Sequence, residues 1–294
     1  MERKSILPEV IAQAPNRRSF VRKLGIASAA ASVALMVRGK GGLANAASSP
    51  GPTTTDVEVL QFALNLEYLE AEFYTVATSG KTIDMAPYSI PINGMATGSN
   101  PTSGGAVTNG SQVTFSNSLV FTSAVAQQIA DDERAHVMLI RDTLSSNGVE
   151  PIAQPNINLN ALGFGFGSQD DFLKLARIFE DIGVTAYGGA APLLSSAVIG
   201  TAARILATEA EHVANIRLQV ARLNIPTTPA LDSVDILPPP SGSQYFSVGA
   251  KGLTQVRTPG QVLYLAYGMK SNAVKGGFFP TGANGTITES SGPA

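Results

Sequence analysis

Apolar residues recur at helical steps of three and four in four long stretches of the chain. The first runs from about Asp56 to Thr78, with Thr55 or Asp56 as its cap and Gly80 closing it. The second runs from about Ser118 to Ser146 and stops at Asn147-Gly148, a good left-handed terminator. Ser168, with Asp171 three residues on, opens the third, which is expected to falter at Gly188-Gly189 and Pro192. The fourth occupies about Ser196 to Leu223 and ends at Asn224, with Pro226 beyond. The pattern predicts an all-α protein built on four helices.

Two of these stripes carry a carboxylate where a hydrocarbon belongs. In the first helix Leu60, Leu64, Glu67, Ala71 and Tyr74 step by 4, 3, 4 and 3 residues. Leu173, Ala176, Glu180, Val184 and Tyr187 do the same in the third, with the tyrosine again seven residues after the glutamate. Glu70 is the competing position in the first helix, flanked by Ala63, Leu66, Phe73 and Ala77; the shared tyrosine spacing favours Glu67. Glu72 and Glu211 lie off the stripes and are expected to be solvated. An unpaired carboxylate inside an apolar stripe costs several kcal/mol, on the order of the burial penalty of a charge, so it must be neutralised or held by a cation.

The second and fourth helices align without a gap. Ile129-Ala-Asp-Asp132-Glu133-Arg-Ala-His136-Val137, with Ile140-Arg141, matches Ile205-Leu-Ala-Thr208-Glu209-Ala-Glu-His212-Val213, with Ile216-Arg217. Both histidines of the chain thus follow a glutamate by three residues, on one helical face. A single Glu-x-x-His reads best as an exposed helical pair; two in register do not. Across four helices the order Glu, Glu-x-x-His, Glu, Glu-x-x-His projects four carboxylates and two imidazoles into one layer of a bundle core. Four negative charges are cancelled by two divalent ions, whereas one zinc would leave a surplus. Mixed nitrogen and oxygen ligands suit iron or manganese better than copper(I) or structural zinc.

The connections are Gly-, Ser- and Pro-rich. An insert over about residues 79–113 is long for a structureless loop and is expected to hold short strands or a flap. Gly163-Phe164-Gly165-Phe166-Gly167 brushes against a dinucleotide fingerprint, but Ser168 stands where the third glycine belongs, so it reads as a packed turn. From Pro226 the chain becomes a tail with one short helical candidate, Pro259 to Gly268, expected to wrap the bundle.

Composition changes the picture at the start of the chain. The first 46 of the 294 residues hold 8 basic and 2 acidic groups, and the remaining 248 hold 12 basic against 20 acidic. The leading part carries Arg17-Arg18-Ser19-Phe20-Val21-Arg22-Lys23, an apolar run from Leu24 to Val37, and Ala44-Asn45-Ala46 as a small-x-small cleavage site. Fourteen apolar residues make roughly 21 Å of helix, too short for a bilayer core of about 30 Å. The segment is similar to signals of the twin-arginine pathway, which implies a folded, exported, periplasmic protein and the twin-arginine translocase as a transient partner. The division expected is therefore 1–46 signal, 47–225 bundle and 226–294 extension. An acidic body argues against nucleic acid and anionic membranes as partners. With no cysteine there is no disulfide, thiolate metal site or cysteine nucleophile.

The lines Ala63-Leu-Asn-Leu-Glu67-Tyr-Leu-Glu70-Ala-Glu-Phe-Tyr74 and Phe179-Glu180-Asp-Ile-Gly-Val-Thr-Ala-Tyr187 resemble the ferritin-like superfamily, and more narrowly its desiccation-related branch. Ala190-Ala-Pro-Leu-Leu194, Arg257-Thr-Pro-Gly-Gln-Val262 and Gly276-Gly-Phe-Phe-Pro280 extend that likeness over nearly the whole chain after the signal. The resemblance implies a ferritin-like four-helix bundle holding two metal ions, iron or manganese. Glu67, Glu133, His136, Glu180, Glu209 and His212 would be the ligands, with Glu133 and Glu209 between the ions. Tyr74, Tyr187, Asp132 and Thr208 would form the surrounding shell. Asp132 points about 100° away from Glu133 on its helix, and related Asp-Glu-x-x-His proteins use this Asp to hold the opposite histidine, here His212. Thr208, at the matching place, would be a weaker partner for His136. The reading implied is redox protection of the cell envelope that consumes dioxygen or peroxide, with a catalase-like reaction open to a manganese form. The alternatives are iron storage, which needs a homo-oligomer with an interior, and a structural role in desiccation stress.

Overall fold

A computed structural model describes residues 51–96, 101–116 and 123–294. The twin-arginine segment and the beginning of the second predicted helix lie outside the described residues.

Four long helices carry the fold: α1 (Thr54–Ser79), α2 (Ser123–Ser146), α3 (Gln169–Ala190) and α4 (Ile199–Arg222). Helix α1 packs most closely on α2, and α3 on α4. The cap of α1 is Thr53, one turn before Asp56. Its hydroxyl accepts from the Asp56 N–H at 3.2 Å while Asp56 Oδ2 accepts from the Thr53 N–H at 2.6 Å, a capping box that gives Asp56 the third helical position instead of the cap. Gly80 and Gly148 take the left-handed conformation where α1 and α2 end, with φ of 72° each.

Helix α3 does not falter at Gly188-Gly189. It runs through both to Ala190, and Pro192 follows within a single 3-10 turn, Ala191–Leu193. The glycines serve packing: a Cβ on Gly189 would lie 1.9 Å from the Arg257 carbonyl oxygen, where the tail crosses α3 and Arg257 donates its N–H to Thr185 O. Helix α4 starts at Ile199, three residues later than the pattern suggests, with no side-chain cap.

The insert holds short strands, as expected. β1 (Gly94–Met95) pairs antiparallel with β2 (Pro101–Thr102), and β3 (Val107–Thr108) pairs parallel with β4 (Ile157–Asn158) in the crossing between α2 and α3. The glycine-rich run after β4 is a packed turn; Phe166 meets Phe73 edge to face at 5.5 Å between centroids. Phe73 also stacks on Phe172 at 5.1 Å and meets Phe179 at 5.0 Å, so an aromatic cluster packs α1 against α3, each pair adding about 0.5–1.5 kcal/mol beyond its burial.

The described residues form one compact unit, and the tail packs on the bundle with a short helix α5 (Pro259–Ala266). Buried arginines fasten it. Arg217 on α4 donates to Asp181 and to the carbonyls of Ile236, Gln244 and Tyr245. Arg257 in the tail pairs with Asp232 at 2.7 Å and donates to Thr185 Oγ1. Among the described residues no helix is long and apolar enough to cross a membrane.

Candidate metal centre

The six residues that the helical repeats single out converge at mid-bundle. Glu67 comes from α1, Glu133 and His136 from α2, Glu180 from α3, Glu209 and His212 from α4. Glu133, Glu180 and Glu209 are fully buried, and Glu67 is 2% exposed. His136 Nδ1 lies 3.2 Å from Glu67 Oε2, 3.3 Å from Glu133 Oε2 and 3.4 Å from Glu209 Oε1. His212 Nδ1 lies 3.1 Å from Glu133 Oε1 and 3.3 Å from Glu180 Oε2. The two rings are 6.5 Å apart between centroids.

Two sets of four potential donors result: Glu67, Glu133, His136 and Glu209, and Glu133, Glu180, Glu209 and His212. In each, one atom per residue lies within 4.8 Å of all the others. Glu133 and Glu209 belong to both sets, so these two carboxylates stand between two potential ion positions.

The hydrogen bonding of the oxygens fits cations. Tyr74 donates its hydroxyl to Glu180 Oε1, and Tyr187 donates to Glu67 Oε1, each reaching across the bundle to the other's helix. Each outer glutamate therefore has one oxygen held by a tyrosine, while its Oε2 faces a histidine Nδ1 without an aligned hydrogen bond. Both oxygens of Glu209, Glu133 Oε1 and His212 Nδ1 also lack an aligned hydrogen bond, the imidazole–carboxylate approaches above being their polar contacts. A buried acceptor left bare costs about 1–3 kcal/mol, more when charged. Bare, converging oxygen and imidazole nitrogen atoms are what one or more metal ions would satisfy, and the donor set suits hard to borderline divalent ions.

Without a metal, protons must take that place. Burial opposes an imidazolium, yet Glu67 and Glu133 beside His136, and Glu180 with Asp132 and Glu133 beside His212, raise both histidines far above their ordinary value. Burial also pushes Glu67, Glu180 and Glu209 up, and for Glu209 the charges of Glu133 and Glu180 add to it. Glu133 alone goes the other way: burial raises it, but the two histidines, His136 foremost, draw it down to about 2. In the metal-free centre, protons on the imidazoles and outer carboxylates are therefore favoured in place of cations.

The surrounding residues sort less evenly. Asp132 Oδ2 lies 3.3 Å from His212 Nε2, the ring nitrogen facing away from the cluster, although the Asp132 side chain is 40% exposed. Thr208 makes no such contact with His136. Its hydroxyl donates to Arg204 O one turn back, because a threonine in a helix bonds its own backbone more readily than it reaches a neighbour. Glu70 is buried at the edge of the cluster but belongs to neither set of four. Burial, then the charges of Glu209, Glu133, Glu180 and Glu67, push it well above the carboxylate range.

Glu72 corrects the expectation of a solvated acid. It is fully buried, accepts from the Ile83 N–H at 3.2 Å, and its pKa is raised to about 8 by burial. The insert covers the face of α1 that a bare bundle would leave wet. Glu211 is exposed, as expected.

One residue escapes the sequence reading. Gly183 on α3 faces Glu209: a Cβ there would sit 2.5 Å from Glu209 Oε2 and 3.6 Å from Glu70 Oε1. Its signal is a glycine in mid-helix three residues after Glu180, at the place where α1 has Glu70 three residues after Glu67.

A ferritin-like domain family model covers residues 55–222, more than half of the chain. The chain belongs to the ferritin-like family. It is 30% identical over 181 residues to a desiccation-related protein of Craterostigma plantagineum, an alignment that takes in 55% of this chain and 52% of the relative. This chain thus spans about half the length of that relative. It is 22% identical over 285 residues to a ferritin-like catalase of Nesocodon mauritianus, covering 81% of this chain and 86% of the other.

Proposed function

We propose that this ferritin-like chain binds two iron or manganese ions and consumes peroxide, with dioxygen as the alternative oxidant, in protection against oxidative or drying stress. The observation that carries the reading is the pair of overlapping donor sets sharing Glu133 and Glu209. Glu67 and His136 would complete one ion position, Glu180 and His212 the other. When bound, the metal pair supplies open coordination positions and the electron equivalents for peroxide disproportionation, two peroxides giving two waters and one dioxygen.

The chain's own groups do the rest. Tyr74 and Tyr187 fix the outer carboxylates so that one oxygen of each faces inward. Asp132 accepts from the outer nitrogen of His212, sets its tautomer and makes Nδ1 a stronger donor. Burial of the carboxylates keeps bulk water from competing for the ions. The name of the Nesocodon relative, a ferritin-like catalase, supports peroxide over dioxygen.

The test is elemental analysis of protein from its native host, followed by oxygen evolution from hydrogen peroxide. Two ions per chain and evolution that disappears in His136→Ala and His212→Ala support the reading. A fully loaded protein that evolves no oxygen and reduces no dioxygen sinks it. We propose further that Arg17-Arg18 direct export through the twin-arginine pathway; exchange for Lys-Lys should strand the precursor in the cytoplasm, and normal export of that variant would refute it.

A further inference from the structure

An apolar pocket lies against the centre on the side covered by the tail. Its walls come from α1, α3 and α5, with Phe278 of the tail closing one side. At its mouth stands Met269, 45% exposed, and at its buried end stands Glu70, 6% exposed. Glu70 is the only lining residue with an ionisable or hydrogen-bonding side chain; the rest are hydrocarbon, aromatic or thioether. The free space is about 30 Å³, enough for one or two molecules the size of water.

Glu70 links the buried end of the pocket to the centre. Glu70 Oε1 and Glu209 Oε2 lie 3.6 Å and 2.5 Å from the same point, where Gly183 has no side chain. No protein atom of residue 183 beyond its backbone separates the pocket's only carboxyl from a carboxylate shared by both ion positions.

Such a passage selects by charge and size. Hydrocarbon walls offer nothing to replace the hydration shell of an anion or a metal cation, so charged species meet a desolvation barrier that small neutral molecules do not. The acidic chain beyond the leading segment repels anions as well. Hydrogen peroxide is small and neutral, and it can donate to a carboxyl oxygen, which dioxygen cannot.

We propose that this tail-covered pocket is the access route of hydrogen peroxide to the centre, and that the Glu70 carboxyl receives it by hydrogen bonding beside Glu209. The inference rests on the peroxide-consuming reading above and adds the route, the size limit and the receiving residue. It also gives the tail a function: without α5 and Phe278 the route would have no outer wall.

The experiment plugs the route from two sides and reads it in two ways. Ala266→Phe on α5 and Ile182→Phe on α3 should each lower kcat/KM for hydrogen peroxide at least 10-fold, with metal content and melting temperature kept. If one variant fails to fold, the other carries the test. Wild-type protein should turn over hydrogen peroxide and reject tert-butyl hydroperoxide, while Met269→Ala widens the mouth and relaxes that rejection. Glu70→Leu should raise KM more than Glu70→Gln, which keeps a polar head. Independently of turnover, crystals under xenon pressure should show xenon in the pocket of the wild type and none in Ala266→Phe. Undiminished turnover in both plugged variants, or a pocket that takes up no xenon, overturns the proposal. If loaded wild-type protein consumes no peroxide, the functional reading fails instead, and the xenon result still decides whether the route exists.

Discussion

Gly183→Ala adds one methyl group at the point where the Glu209 carboxylate passes α3. The added Cβ would meet Glu209 Oε2 at 2.5 Å and Cδ at 3.2 Å, well inside van der Waals contact, so the carboxylate must move. Two effects on stability oppose each other. Alanine in place of a mid-helix glycine gains about 1 kcal/mol of helix propensity, while overpacking costs about 1–3 kcal/mol. The metal-free protein should therefore melt within a few degrees of wild type. Metal affinity has no such compensation. Glu209 belongs to both donor sets, so displacing it should weaken both ion positions, by roughly 10- to 100-fold as for other disturbances around metal ligands.

Competition titration against a chelator gives the affinities, and calorimetry of the stripped protein gives the stability. Gly200→Ala is the control: it lies in α4 with nothing within 4 Å of its added Cβ. It should gain about 0.4–1 kcal/mol and leave metal binding untouched. Wild-type affinity in Gly183→Ala would refute the placement of Glu209 between the ions. So would loss at one position only.

Three further perturbations have defined directions. Asp132→Asn keeps the shape but weakens the acceptor at His212 Nε2, and should cost roughly 10- to 100-fold in affinity at one position, measured by the same titration. Glu72 holds its proton to about pH 8 when folded but releases it near 4.5 when unfolded, so its contribution is complete below pH 4.5 and is lost as pH rises to 8. Glu72→Gln does not titrate and should be more stable than wild type by about 3 kcal/mol at pH 7, with the gap closing below pH 5 in denaturant melts. Chelation should steepen the loss of stability with rising pH. Stripped, the raised Glu67, Glu180, Glu209 and both histidines hold protons that the unfolded chain gives up from about 4.5 and 6.5, so stability falls with rising pH. Loaded, the same groups are held deprotonated and no longer contribute that loss, so the gap in melting temperature between loaded and stripped protein should widen as pH rises from 5 to 8.

The centre was legible in the chain because helical periodicity is a local property. Glu67 and Glu180 betrayed themselves as charges inside apolar stripes, and the two Glu-x-x-His units by their register. The same periodicity misled wherever a distant segment decided the outcome. Glu72 reads as solvated on an isolated helix, but the insert at Ile83 buries it. Gly188-Gly189 reads as a helix end, but the tail at Arg257 needs the space. Thr208 reads as the counterpart of Asp132, but a threonine hydroxyl has a carbonyl of its own helix within reach. The first two misses are tertiary contacts overriding a pattern that was itself correct, and the third is a local bond to the helix backbone.

The internal repeat extends beyond the donors, and its exceptions are informative. Arg141 donates to Tyr68 across one helix pair, and Arg217 donates to Asp181 across the other; Tyr68 and Asp181 hold matching places, one residue after Glu67 and Glu180. Tyr74 and Tyr187 likewise exchange glutamates. Two matched positions break the pattern beside the centre: Asp132 against Thr208, and Glu70 against Gly183. Their consequences differ. Asp132 approaches only the histidine of the Glu180 side, so the two donor sets are not equivalent. Glu70 and Gly183 act as a pair, because the carboxyl of one lies against the bare backbone of the other. A second glutamate at 183 would collide with Glu209, and a second glycine at 70 would leave the pocket with no polar group. The frame of the two donor sets is kept twofold, while Asp132 and the Glu70–Gly183 pair each stand on one side of it.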